Sequence, residues 1–81
     1  MHRGKLDNYD REILLGLMRG ERSNTIARKL GFAAPSISYR LEQIQYLCKA
    51  KTTIEAIAII TLGAKTLEEA VDRFINTGGK P

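Results

Sequence analysis

GERSNTIARKLGFAAPSISYRLEQIQYLCK, residues 20–49, is the stretch that decides how the chain is read. Its apolar residues Ile26, Ala27, Leu30, Phe32, Ile37, Leu41 and Ile44 fall at helical spacing on either side of a break at Gly31-Phe32. That pattern predicts a short helix over about 23–30, a tight turn, and a longer helix over about 34–49, closed over one core. Gly31 suits the left-handed residue that ends the shorter helix. Pro35 falls in the first turn of the longer one, where a missing N–H costs least. The outward side is basic and rich in hydroxyls. Together these features outline a helix-turn-helix.

Upstream, Ile13, Leu14, Leu17 and Met18 form one apolar stripe of a helix over about 7–19, with Asp7 as its cap and Gly20 as its stop. Gly16 weakens that helix and points to close packing against a neighbour. Downstream, Thr52 and Glu55 have the form of a capping box that opens a helix over about 53–62. The run Ile54 to Leu62 is rich in β-branched residues, so periodicity alone leaves a buried strand open there. The cap and the helical surroundings favour a helix, apolar nearly all round. Thr66-Leu67-Glu68-Glu69 starts another capping box, and Leu67, Ala70, Val71, Phe74 and Ile75 then mark an amphipathic fifth helix. The expected organisation is all-α. Residues 1–63 form the helix-turn-helix domain, 64–77 an additional C-terminal helix, and 78–81 a frayed tail.

A chain of 81 residues suffices for one small domain, with 43% hydrophobic and 27% charged residues. Cys48 is the single cysteine, which rules out an internal disulfide and fits a reducing cytoplasm. The charged N-terminus MHRGKLDNYDRE has no signal-peptide pattern, and the longest apolar run, Ala56 to Leu62, is too short to span a bilayer. No membrane partner is expected. The net charge of +4 is unevenly spread. Residues 19–51 carry Arg19, Arg22, Arg28, Lys29, Arg40, Lys49 and Lys51 against Glu21 and Glu42, a surplus of five, while the flanking segments nearly balance. The positive charge therefore sits on the proposed helix-turn-helix, where phosphate contacts would need it.

No nucleophile–base set, Cys/His metal spacing or phosphate-binding glycine loop is present, so neither enzymatic activity nor a metal or other cofactor is expected. Asp7, Asp10 and Glu12 gather on the first turn of a helix, where capping and the helix dipole account for them. Cys48 continues the Ile37-Leu41-Ile44 stripe and reads as a small core residue.

From Leu6 to Ile57 the chain resembles LuxR/GerE-type DNA-binding domains. The first-helix pattern L-T-x-R-E-x-E-V-L is met by Leu6, Asp7, Tyr9, Asp10, Glu12, Ile13 and Leu14. G-x-S-N-x-E-I-A-x-x-L is met by Gly20, Arg22, Ser23, Thr25, Ile26, Ala27 and Leu30. The recognition-helix pattern S-x-x-T-V-K-x-H-L-x-x-I is met by Ala33, Ser36, Ile37, Ser38, Arg40, Leu41 and Ile44, and the closing E-A-V by Glu55, Ala56 and Ile57. Tyr9, Ala33, Ser38 and Leu47 replace a usual arginine, capping serine, lysine and lysine. The resemblance implies a four-helix fold whose third helix enters the major groove of double-stranded DNA and whose fourth helix forms a homodimer on a two-fold symmetric site. Ile54, Ile57, Ala58 and Thr61, with Phe74 of the fifth helix, are the residues expected at that dimer interface. The fifth helix lies beyond the family's usual boundary.

In that frame Pro35, Ser38, Tyr39 and Glu42 point at base edges, and specificity is expected from Ser38, Tyr39, Arg40, Glu42 and Gln43. Arg40 either forks onto guanine or a phosphate, or bridges to Glu12 or Glu42. Arg22, Ser23 and Asn24 at the start of the second helix, and Ser36 at the start of the third, are the expected phosphate clamps. The expectation is a small cytoplasmic transcriptional regulator, controlled by its own abundance or by a partner because no sensing domain precedes the motif. Two other readings stand beside it. One is an anti-activator that captures a full-length LuxR-type regulator through its C-terminal helices; the other is a promoter-reading module like that of a sigma factor.

Overall fold

A computed structural model describes residues 5–79, and these are all-helical, with no strand among them. The order is α1 (Asn8–Met18), α2 (Ser23–Leu30), α3 (Ala34–Cys48), α4 (Thr53–Thr61) and α5 (Leu67–Asn76). The expected helices are present, shorter by one to three residues at several ends because caps replace the last turn. The β-branched segment after Thr52 is helical: the Thr52 hydroxyl accepts the Glu55 N–H at 3.0 Å and fixes where α4 begins. None of the helices is long and apolar enough to cross a membrane.

The core has two lobes that share α1 and α3. The smaller joins Ile13, Ile26, Ala27 and Ile37, and so fastens α2 to the α1–α3 pair. The larger joins Leu14 and Leu15 of α1, Ile44 and Cys48 of α3, Ala56 and Ile60 of α4, and Ala70, Val71 and Phe74 of α5. Leu41, half-buried, packs against both lobes. Gly16 lies where α1 meets α2: a Cβ there would stand 2.9 Å from Ile26 Cδ1, so only hydrogen lets the two helices approach this closely. Gly31, at φ +74°, ends α2 in the left-handed conformation, and the Phe32 N–H closes the turn on the Ala27 carbonyl at 2.8 Å.

Two expectations about the C-terminal region are corrected. The fifth helix is not an addition to a finished domain. It supplies Ala70, Val71 and Phe74 to the larger lobe, and Arg11 of α1 holds Asp72 at 2.7 Å. Phe74, expected at a dimer interface, is consequently buried in the core. Gly78 and Gly79 do not fray: the Gly79 N–H donates to the Phe74 carbonyl at 2.9 Å, and Gly79 is packed so tightly on Leu47 that a Cβ would stand 2.6 Å from its Cδ1. The rest of the expected tail, residues 80–81, lies outside the described residues, as do residues 1–4.

Candidate nucleic-acid interface

α2 and α3 differ from the other helices in how they start. Asp7, Thr52 and Thr66 cap α1, α4 and α5 with side-chain hydrogen bonds to the first-turn N–H groups. The N-cap residues of α2 and α3 are Arg22 and Ala33, and neither makes a side-chain cap. First-turn N–H groups without such a partner turn to water or to an anion, and the helix dipole adds to the attraction. In α3 this leaves the Ala34 N–H, because Pro35 has none and the Ser36 N–H donates to the Ala33 carbonyl at 3.0 Å. Ser23 and Asn24 are exposed at the start of α2, and Pro35 and Ser36 at the start of α3. The expected phosphate clamps thus stand on two uncapped helix ends.

The cations divide into two groups. Arg19 pairs with Glu68 at 3.7 Å and Lys29 with Glu21 at 2.9 Å, while Arg40 is turned inward. Arg22 and Arg28 of α2, and Lys49 and Lys51 after α3, are exposed and make no ion pair with the described residues. The surplus of positive charge read from the sequence therefore remains open at four positions.

Arg40 does not bridge to Glu12 or Glu42; it turns to the acids at the start of α1. Its Nη1 donates to Asp7 Oδ1 at 2.9 Å and to Asp10 Oδ1 at 3.2 Å, and its guanidinium lies 5.0 Å from the Phe32 ring and 5.4 Å from the Tyr9 ring. Asp10 is fully buried. The partners expected, Glu12 and Glu42, are elsewhere; Glu12 receives Arg11 at 3.1 Å. The reason is the α1 cap. Asp7 and Asp10 exchange hydrogen bonds with each other's backbone, which brings two carboxylates to the end of α1 directly below α3. A single guanidinium there answers both.

Ser38, Tyr39 and Glu42 are exposed on the outer side of α3, as expected. Gln43 is not. It is 2% exposed, one residue before core Ile44, so its side chain does not reach the outer surface and the base contact expected of it is withdrawn. Phe32, absent from the expected site, joins Pro35, Ser36, Tyr39 and Arg40 around an open groove of about 350 Å³ beside the start of α3. The signal for Phe32 was present in the sequence as an aromatic residue in the α2–α3 turn, but its spacing read only as core.

On α4, Ile54 is 81% exposed, and Leu62 just beyond the helix is 79% exposed. Ala58 is exposed between them, while Ile57 and Thr61 are half-buried on the flank. The Thr61 hydroxyl turns back to the Ile57 carbonyl at 2.9 Å. Cys48 is buried, and burial pushes its thiol pKa up. The described residues hold no group of His, Cys, Asp and Glu able to bind a metal ion. Compared with models of protein families, with curated proteins and with solved structures, the chain matches none.

Proposed function

We propose that the chain is a small sequence-specific DNA-binding protein of the LuxR/GerE helix-turn-helix type, a cytoplasmic transcriptional regulator that acts as a homodimer. The observation that carries this reading is the coincidence of two helix ends without a side-chain cap with Arg22 and Arg28, exposed and without an ion pair among the described residues, on the α2–α3 pair. Phosphates bind at those ends and fix the register, while the outer side of α3, with Ser38, Tyr39 and Glu42, lies against base edges in the major groove. α4 supplies the dimer contact through Ile54, Ala58 and Leu62, with Ile57 and Thr61 at its edge. Two α3 helices then meet successive turns of a two-fold symmetric site.

The test is duplex binding followed by fluorescence anisotropy across a salt series. Log affinity falls linearly with log salt, with a slope of about −0.9 for each phosphate engaged. No binding to any duplex at low salt overturns the reading.

A second reading is favoured by one specific feature. Ile54 and Leu62 leave an apolar strip on the surface, and α3 presents Glu42 without any lysine on its outer side. An anti-activator that captures a LuxR-type regulator through α4 needs that strip and no DNA. Its complex barely responds to salt, because an apolar interface is not screened.

A further inference from the structure

We infer that the groove formed by Phe32, Pro35 and Tyr39 reads thymine through its 5-methyl group, a step that rests on the DNA-binding reading above. Three of the groove's five lining residues offer the apolar face of a ring. Its one cation, Arg40, has Nη1 engaged by Asp7 and Asp10 and only 15% of its side chain exposed, so the groove offers no free, extended guanidinium. What remains polar at the rim is the hydroxyl of Ser36 and the phenolic hydroxyl of Tyr39.

In the major groove thymine presents an O4 acceptor beside a methyl group, and cytosine presents an N4 donor in the same place. A hydroxyl both donates and accepts, so those of Ser36 and Tyr39 do not tell them apart. The ring wall does: it gains from a methyl and gains nothing from an amino group that needs a partner. The wall is also held in place before any ligand arrives. The Phe32 ring lies 4.8 Å from the Tyr9 ring and 5.0 Å from the Arg40 guanidinium, so little is lost in ordering it. Charge favours a nucleic acid over another apolar occupant. The groove adjoins the uncapped start of α3, and Arg22 and Arg28 stand unpaired on the neighbouring helix.

The test selects a preferred site for the full chain from a random duplex pool, then replaces its thymines with deoxyuridine one at a time. Uracil keeps O4 and loses only the methyl. At one thymine in each half-site the replacement weakens binding about fourfold, the value of one buried methyl converted to affinity. Elsewhere it changes little. Tyr39→Ala, or Pro35→Ala as a second variant at an exposed position, lowers affinity for the thymine duplex to that for the uracil duplex and so erases the difference between the two. Equal binding of thymine and uracil duplexes overturns the inference while leaving DNA binding intact, as does discrimination that survives both variants. Failure to bind any duplex overturns the inference and the reading on which it rests.

Discussion

Arg40 of α3 is held against the fully buried carboxylate of Asp10 on α1, with Nη1 3.2 Å from Oδ1 and only 15% of the arginine side chain exposed. Asp7 shares the same nitrogen at 2.9 Å, and Tyr9 and Phe32 border the guanidinium. One side chain thus ties the N-terminus of α1 and the α2–α3 turn to the helix that carries the outer polar surface. Arg40→Ala takes from the buried Asp10 the counter-charge that α3 supplies, and lowers stability by about 3 kcal/mol in urea unfolding. The double variant Asp10→Asn with Arg40→Met recovers most of that, because asparagine still accepts the Asp7 N–H and carries no charge. An unchanged urea midpoint for Arg40→Ala would show that the pair does not fasten α1 to α3.

α4 and α5 separate surface from core by residue. Ile54→Asp changes a side chain that is 81% exposed, so the monomer's stability moves by less than about 0.5 kcal/mol. In the proposed dimer the same change places two carboxylates face to face, and sedimentation velocity shows a monomer. Phe74→Ala is different. It empties a position between α1, α3 and α4 and costs about 3–5 kcal/mol, enough to unfold much of so small a chain. A wild-type chain that sediments as a monomer at all concentrations removes the dimer from the proposal.

The helix positions were legible because the signals were local. Gly31 at positive φ, Thr52 and Thr66 at helix starts and the 3.6-residue spacing each act within a few residues. Gly16 was legible for a similar reason: a glycine in mid-helix is unfavourable unless a neighbour needs the space, here Ile26. What spacing did not reveal was long-range. Arg40 finds Asp7 and Asp10 some thirty positions away, and nothing on α3 itself distinguishes those acids from Glu42 two residues along. Gln43 was misplaced because a polar residue beside an apolar stripe reads as outward until the crossing of a neighbouring helix is known. The role of α5 was hidden likewise, since an amphipathic helix shows which face it buries but not against what.

Cys48 supplies a test that needs no ligand. Burial raises its pKa, so the folded protein holds the thiol proton more tightly than the unfolded chain does. The sign follows: this contribution is complete below the ordinary thiol range of about 8.5 and is lost as pH rises above it. Between pH 8 and pH 10 the wild-type chain loses more stability than Cys48→Ala. At neutral pH a thiol-specific reagent modifies Cys48 only as fast as the chain opens. Immediate modification of the folded protein would place the thiol at the surface.

The uncapped start of α3 sets stability against binding. Ala33 occupies the N-cap with extended backbone, φ −75° and ψ 152°, and offers no side-chain acceptor to the first-turn N–H groups. Ala33→Ser adds that acceptor without altering charge, for the Ser36 N–H alone since Pro35 has none, and raises stability by up to about 1 kcal/mol. Ala33→Asp adds the same cap together with a negative charge that suits the helix dipole, so it stabilises at least as much. In the proposed complex, however, that carboxylate occupies the place of a phosphate. Ala33→Asp therefore raises the thermal midpoint and weakens duplex binding, most strongly at low salt, where repulsion is least screened. Thr52→Ala, at the capped start of α4, does the reverse on one axis only: it costs about 1 kcal/mol and leaves binding by a preformed dimer unchanged. If Ala33→Asp binds duplex as tightly as the wild type, no phosphate sits at the start of α3, and the anchoring passes to Arg22 and Arg28 on α2.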